Sequence, residues 1–262
     1  MRLIAPTAIV SDLPLFVYLP GMDGSGHLLR WQLPKLSQVF DVRCLQIPPD
    51  DLRGWEELTQ HTIALIERER KNRQQPVYLF GESFGGCLAL QVAMRSPKSI
   101  DRLVLSNPAS SFNRRPWLTW GSHLVGWMPD FLNAVSALGL LPFLAALERI
   151  PSHNRQALID AMQHVSPQSA AWRIQMLREF QLDWERLDRI QQPTLAIASA
   201  CDRLLPSVTE VRELVDRLPD GRLRILPESG HACLLEKGVD LYRILQEANL
   251  LPEPVCDELM RG

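Results

Sequence analysis

Ser83 lies in Gly81-Glu82-Ser83-Phe84-Gly85, a G-x-S-x-G pentapeptide preceded by the apolar run Val77-Tyr78-Leu79-Phe80 and followed by Cys87-Leu88-Ala89-Leu90-Gln91-Val92-Ala93, which reads as a helix. A serine on a sharp turn between strand and helix has a strained backbone and an exposed Oγ, the geometry of an enzymatic nucleophile. At the first turn of a helix it also sits beside free backbone N–H groups that favour developing negative charge. The pentapeptide alone would equally fit a structural turn serine; its flanking strand and helix select the nucleophile reading. A hydroxyl is a poor nucleophile near neutral pH, so it needs a base within hydrogen-bond reach and a third group to orient that base.

His231 is the expected base, because Glu228-Ser229-Gly230-His231 follows an apolar-alternating run near the end of the chain. His61 falls inside a predicted helix, and His123, His153 and His164 lie in a long helical interval where a surface or packing role suits them. His27 follows a glycine-rich loop and is a candidate substrate contact. Asp202, just after Thr194-Leu195-Ala196-Ile197-Ala198-Ser199, is the expected orienting carboxylate, although aspartates in such loops also serve turns. Asn107 carries no charge and cannot take that part. The chain order Ser83, Asp202, His231 is one of the three orders in which such triads occur.

A tetrahedral intermediate needs two N–H donors aimed at its oxygen. Phe84, the residue after the nucleophile, supplies one. The second is expected from Leu19-Pro20-Gly21-Met22-Asp23-Gly24-Ser25-Gly26, with Met22 N–H as the donor and Gly21 beside the substrate. Neither G-K-[ST] nor G-x-G-x-x-G is present, which sets aside a phosphate-cradling role for that loop.

Short apolar runs at 15–19, 42–47, 77–80, 102–106, 194–199 and 222–226 alternate with helical periods at 28–40, 56–71, 84–95, 207–217 and 239–249. That alternation predicts an α/β protein with a mostly parallel, doubly wound sheet. From about 109 to 192 there is no strand signal, too long for a bare loop in a compact domain. A helical cap inserted at 109–192 is therefore expected over the sheet's C-terminal edge, the core being 1–108 and 193–250 and the tail 251–262. This interval holds Trp117, Trp120, Trp127, Trp172 and Trp184, and Asp130 is the only formally charged residue from Pro116 to Leu147. An apolar lining for a long acyl chain and the cap's own core are equally good uses of that stretch. Trp117, Trp120 and Trp127 are accordingly candidate substrate contacts.

The 262 residues include 28 Lys plus Arg against 30 Asp plus Glu, so nothing in the charge balance calls for a nucleic-acid partner. Five cysteines at 44, 87, 201, 233 and 256 show no paired spacing, which argues against a disulfide framework or a zinc site and for a reducing compartment. The N-terminal residues have no apolar stretch of signal-peptide length, and Pro142 interrupts the uncharged middle before it reaches spanning length. The expectation is a cytoplasmic protein that needs no metal or cofactor.

The constellation resembles the α/β-hydrolase superfamily. More narrowly, Val42-Arg43-Cys44-Leu45-Gln46-Ile47-Pro48, Gly81-Glu82-Ser83-Phe84-Gly85-Gly86-Cys87-Leu88-Ala89-Leu90 and Leu105-Ser106-Asn107-Pro108-Ala109-Ser110-Ser111-Phe112 resemble the hydrolase-like part of plant phytyl ester synthases. Ala198-Ser199-Ala200-Cys201-Asp202-Arg203-Leu204-Leu205-Pro206-Ser207 and Gly230-His231-Ala232-Cys233-Leu234-Leu235-Glu236 extend the likeness to roughly 15–240, most weakly across the cap. The resemblance implies an α/β-hydrolase fold and a serine acyl hydrolase or acyltransferase acting on an acyl lipid, with phytol or a similar long-chain alcohol as acceptor. The plant enzymes carry a second, acyltransferase-like region that these residues do not include, which leaves hydrolysis or transacylation to the triad alone. Peripheral membrane contact through the cap would suit such a substrate, with the thylakoid as the membrane if the source is cyanobacterial. A thioesterase acting on acyl thioesters is the alternative within the class. A non-catalytic ligand-binding protein of this fold is the alternative outside it, against which the intact Ser83, Asp202 and His231 speak.

Overall fold

The computed structural model describes residues 1–71, 73–114 and 145–252. Seven strands form one sheet: β1 (Arg2–Ile4), β2 (Leu15–Leu19), β3 (Asp41–Gln46), β4 (Val77–Glu82), β5 (Arg102–Ser106), β6 (Thr194–Ser199) and β7 (Gly221–Leu226), in the spatial order β1-β3-β2-β4-β5-β6-β7. All neighbours are parallel except β1 against β3. The edge strand β1 is absent from the sequence-based expectation, because three residues are too few to display a period of two.

Alternation along the central strands sorts side chains to two helical layers. Leu15, Val17 and Leu19 of β2 join Val77 and Leu79 of β4 in one core, packed against α2 (Trp55–Arg70), α3 (Phe84–Arg95) and α7 (Ser207–Arg217). Phe16, Tyr18, Tyr78 and Phe80 face the opposite core, with α1 (Leu33–Leu36) and α8 (Leu241–Glu247). The continuous helix expected at 28–40 is broken into a 3₁₀ turn, His27–Trp31, and the short α1. Pro34 has no N–H to give and its ring crowds the preceding turn, so an uninterrupted helix cannot pass through it.

Between β5 and β6 the described regular structure is entirely helical: two isolated 3₁₀ turns, then α4 (Ser152–His164), α5 (Pro167–Glu179) and α6 (Trp184–Leu187). Helix α5 is fastened to the loop ahead of α2 and to the first residue of α2. Trp172 Nε1 donates to the Arg53 carbonyl at 3.0 Å, and Trp55 Nε1 donates to the Met176 carbonyl at 3.0 Å. Met176, Leu177 and Phe180 are buried in the same core as α3. Trp117, Trp120 and Trp127, and most of the uncharged stretch, lie outside the described residues.

The pentapeptide glycines allow β4, α3 and β2 to approach at backbone distance. A Cβ on Gly81 would sit 2.4 Å from the Gly85 carbonyl oxygen, and one on Gly85 would sit 2.1 Å from the Leu19 carbonyl oxygen. Both obstacles are backbone, so the strand and helix themselves must separate. Gly85→Ala is expected to cost about 3 kcal/mol, the upper end of overpacking penalties. In a protein of this size that lowers the melting temperature by roughly 6–12 °C. A thermal or urea melt coincident with the unmodified protein would contradict this packing.

Candidate active site

The five strands β2, β4, β5, β6 and β7 run the same way, so the loops after them gather at one edge of the sheet. Ser83 follows the middle strand, β4, and caps α3 with φ 53° and ψ −116°. A left-handed φ at a non-glycine residue costs on the order of 1–3 kcal/mol and persists only where its surroundings enforce it. Here Ser83 N–H donates to the Ser106 carbonyl at 3.0 Å, and the Ser83 carbonyl accepts from Gly86 at 2.9 Å and Ala109 at 3.2 Å. The elbow is thus held by β5, by the following loop and by its own helix.

His231 Nε2 lies 2.9 Å from Ser83 Oγ, and His231 Nδ1 lies 2.8 Å from Asp202 Oδ2. A carboxylate cannot donate, so the hydrogen sits on Nδ1 and the Nε2 lone pair faces the serine hydroxyl. The side chains of His231 and Asp202 are 6% and 1% exposed, so their attraction is little screened by water. Asp202 Oδ1 accepts from Leu204 N–H at 2.8 Å and Leu205 N–H at 3.0 Å, while Oδ2 also accepts from Ser207 Oγ. Burial alone would raise the Asp202 pKa; the charge and hydrogen bond of His231, with Ser207 and Leu205, outweigh it and hold the carboxyl below its usual range. Burial likewise disfavours the imidazolium, but Asp202, then Glu82 and Glu210, reverse the sign and lift His231 above 6.5.

Phe84 is the first residue of α3, where an N–H has no acceptor within the helix. Gly21 packs directly on the serine, since a Cβ there would lie 3.7 Å from Ser83 Cβ. Met22 sits next along a turn that Gly24 N–H closes onto the Gly21 carbonyl at 3.1 Å. His27 is placed at the surface, its ring 6.0 Å from that of His164, and is not part of the Ser83–His231–Asp202 chain of hydrogen bonds.

Several supporting groups escape the sequence reading. Asn107, also at positive φ (41°), accepts from Ser199 N–H at 2.7 Å and donates from Nδ2 to the His231 carbonyl at 2.7 Å and to Ser199 Oγ at 2.9 Å. It is a strut that fixes the histidine loop to β6. Glu82, a variable position of the pentapeptide, is buried and accepts from Tyr18 Oη. Burial and the Asp23 charge push its carboxyl up to about 7, against the opposing pull of Tyr18 and His231.

A mostly parallel sheet with a strained serine after its middle strand defines an α/β-hydrolase. The chain belongs to the family described as serine aminopeptidase, S33, whose family model matches residues 51–238. Phytyl ester synthase 1, chloroplastic, of Arabidopsis thaliana is 30% identical over 90% of the chain, which spans 37% of that relative's length. The pimeloyl-[acyl-carrier protein] methyl ester esterase of Aromatoleum aromaticum is 30% identical over 64% of the chain and 71% of its own length. Among solved structures, the enol-lactonase from Burkholderia xenovorans superposes with a TM-score of 0.75 at 16% identity, covering 95% of both chains. No helix among the described residues is long and apolar enough to cross a membrane.

Proposed function

We propose that Ser83, His231 and Asp202 are the catalytic triad of a serine acyl hydrolase or acyltransferase that acts on long-chain acyl lipids. The observation that carries the chemistry is the unbroken hydrogen-bonded chain from Ser83 Oγ through His231 to Asp202, at 2.9 and 2.8 Å. Ser83 Oγ attacks the acyl carbonyl carbon as its proton passes to His231 Nε2. Asp202 holds the tautomer and stabilises the imidazolium. The N–H groups of Phe84 and Met22 hold the oxyanion. Collapse breaks the bond to the leaving alcohol, which takes the proton from Nε2 and leaves Ser83 acylated. Water or an alcohol then gives its proton to Nε2, attacks the acyl carbon, and releases acid or new ester while the proton returns to Ser83.

The lipid assignment is supported by likeness to the phytyl ester synthase along most of the chain and by the nearly uncharged stretch from Pro116 to Leu147, where Asp130 is the one formal charge. That stretch could also serve peripheral contact with a bilayer. Water as acceptor is favoured by the likeness to the methyl ester esterase, whose length the chain covers more fully. Product analysis by mass spectrometry separates these readings. Purified protein is given a galactolipid or an acyl thioester, with and without phytol, beside Ser83→Ala. Phytyl ester that disappears in the variant supports transfer by the triad. Free fatty acid alone, unchanged by phytol, sinks the transferase reading, and acid from the thioester only would point to a thioesterase.

The electrostatics give a pH prediction. The free enzyme needs neutral His231, so kcat/KM falls as pH drops through the His231 pKa. That acid limb is expected above 6.5. Glu82→Gln removes a carboxyl that becomes an anion only as the pH rises through about 7, so the limb should move down by no more than that partial charge allows, while Tyr18 can still donate to the amide oxygen. A limb at or below the ordinary imidazole value, or one moved up by the substitution, would contradict the assignment.

A further inference from the structure

Arg173, on α5, is 1% exposed and heads the fully buried side chains by size. A guanidinium out of water is tolerated only where its donors are engaged. Its Nη1 donates to the carbonyl of Met22, and its Nη2 donates to the carbonyl of Pro48 at 3.1 Å. The fit is tight: Gly24 has φ +67°, and a Cβ there would stand 3.0 Å from Arg173 Nη1. Nearby charge is complementary, since the Asp23 and Asp51 carboxylates oppose the effect of burial on the guanidinium. Asp23 Oδ2 is taken by Ser25, whereas its buried Oδ1 has no hydrogen-bond partner among the described residues. The turn therefore carries a carboxylate that does not fix its own backbone on both sides, and Arg173 does so from outside.

The carbonyl and the N–H of Met22 belong to successive peptide planes joined at one Cα, so holding one plane narrows the range of the other. Gly24 N–H pins the Gly21 carbonyl, and Arg173 pins the Met22 carbonyl. We infer that Arg173 is a positioning residue which, from the helices between β5 and β6, fixes the Gly21–Gly24 turn so that Met22 N–H can serve the oxyanion. This rests on the triad mechanism proposed above. Docking of α5 and competence of the oxyanion turn are then a single event: an enzyme with α5 displaced retains the Ser83–His231–Asp202 chain but lacks one donor.

The test compares Arg173→Lys and Arg173→Met with the unmodified enzyme in hydrolysis of 4-nitrophenyl butyrate, counting reactive Ser83 by exhaustive fluorophosphonate titration. Affinity for butylboronic acid, whose serine adduct places an oxygen in the oxyanion position, is measured alongside the melting temperature. Losing a donor outright costs about 10²–10³ in kcat, so a misplaced one should cost about 10- to 100-fold per titrated site in Arg173→Met, with KM within about threefold. Boronate affinity should fall by the same factor as kcat. Arg173→Lys, a point donor that cannot hold both carbonyls at once, should lie between, at about tenfold. A merely structural role would lower the melting temperature and the number of titratable sites, leaving per-site kcat and boronate affinity unchanged, and that result overturns the inference. Should Arg173→Met fail to fold, the same two readouts on Arg173→Lys decide. Turnover that persists in Ser83→Ala would instead strike the triad reading, and this inference with it.

Discussion

Ser83→Ala is expected to lower kcat for ester hydrolysis by about a millionfold, down to the residue of catalysis that binding and the oxyanion donors supply by themselves. His231→Ala should be nearly as damaging, and the double substitution little worse than either, because nucleophile and base act as one unit. The 2.9 Å contact between Nε2 and Oγ is the physical basis: neither atom has a use in the reaction without the other. The elbow should survive, since its hydrogen bonds come from the Ser83 backbone rather than its hydroxyl. Steady-state kinetics on protein with an unchanged melting temperature gives the answer. A loss below about a hundredfold, the scale of a single general acid or base, would remove Ser83 from the mechanism.

Asp202→Asn is expected to cost about 10⁴ in kcat while leaving the fold in place. Asparagine retains an oxygen for Leu204 and Leu205 N–H, so the loop stays anchored. What changes is the proton inventory. An amide N–H facing Nδ1 favours the tautomer with hydrogen on Nε2, which then points a hydrogen at Ser83 Oγ instead of a lone pair. The imidazolium also loses its principal charge partner. Glu210 is buried in the same region, but its oxygens accept from Ser110 and Ser111, and burial pushes its carboxyl up to about 7, so it is a poor substitute. Kinetics that lose less than about tenfold would show that another group orients His231.

Much of this architecture is legible in the chain. The strands at Leu15–Leu19, Arg102–Ser106 and Thr194–Ser199 and the helices Phe84–Arg95 and Ser207–Arg217 end where residue patterning places them. Buried parallel strands are short apolar runs with clear stops, and helix periodicity in α3 begins directly after the pentapeptide. Ser83, Asp202 and His231 are legible for the same reason, each following a recognisable strand, and a parallel sheet brings such positions to one edge. The supporting groups are not. Arg173 meets Met22 across 151 positions, Asn107 reaches the His231 carbonyl across 124, and Tyr18 reaches Glu82 across 64. None has a local pattern to announce it. An arginine in an amphipathic helix reads as a solvated face, and a tyrosine in an apolar strand reads as core. Only tertiary structure shows that their polar atoms are spent on the backbone and carboxyls around Ser83.

The most direct test of the central claim is covalent labelling. Unmodified protein, Ser83→Ala and His231→Ala are incubated with a fluorophosphonate, then weighed intact and sequenced by peptide mass spectrometry. One adduct per chain on Ser83, absent from Ser83→Ala and strongly slowed in His231→Ala, is the expected result. A chain that stays unlabelled, or that labels equally well without the Ser83 hydroxyl, would contradict the claim that this serine is the nucleophile.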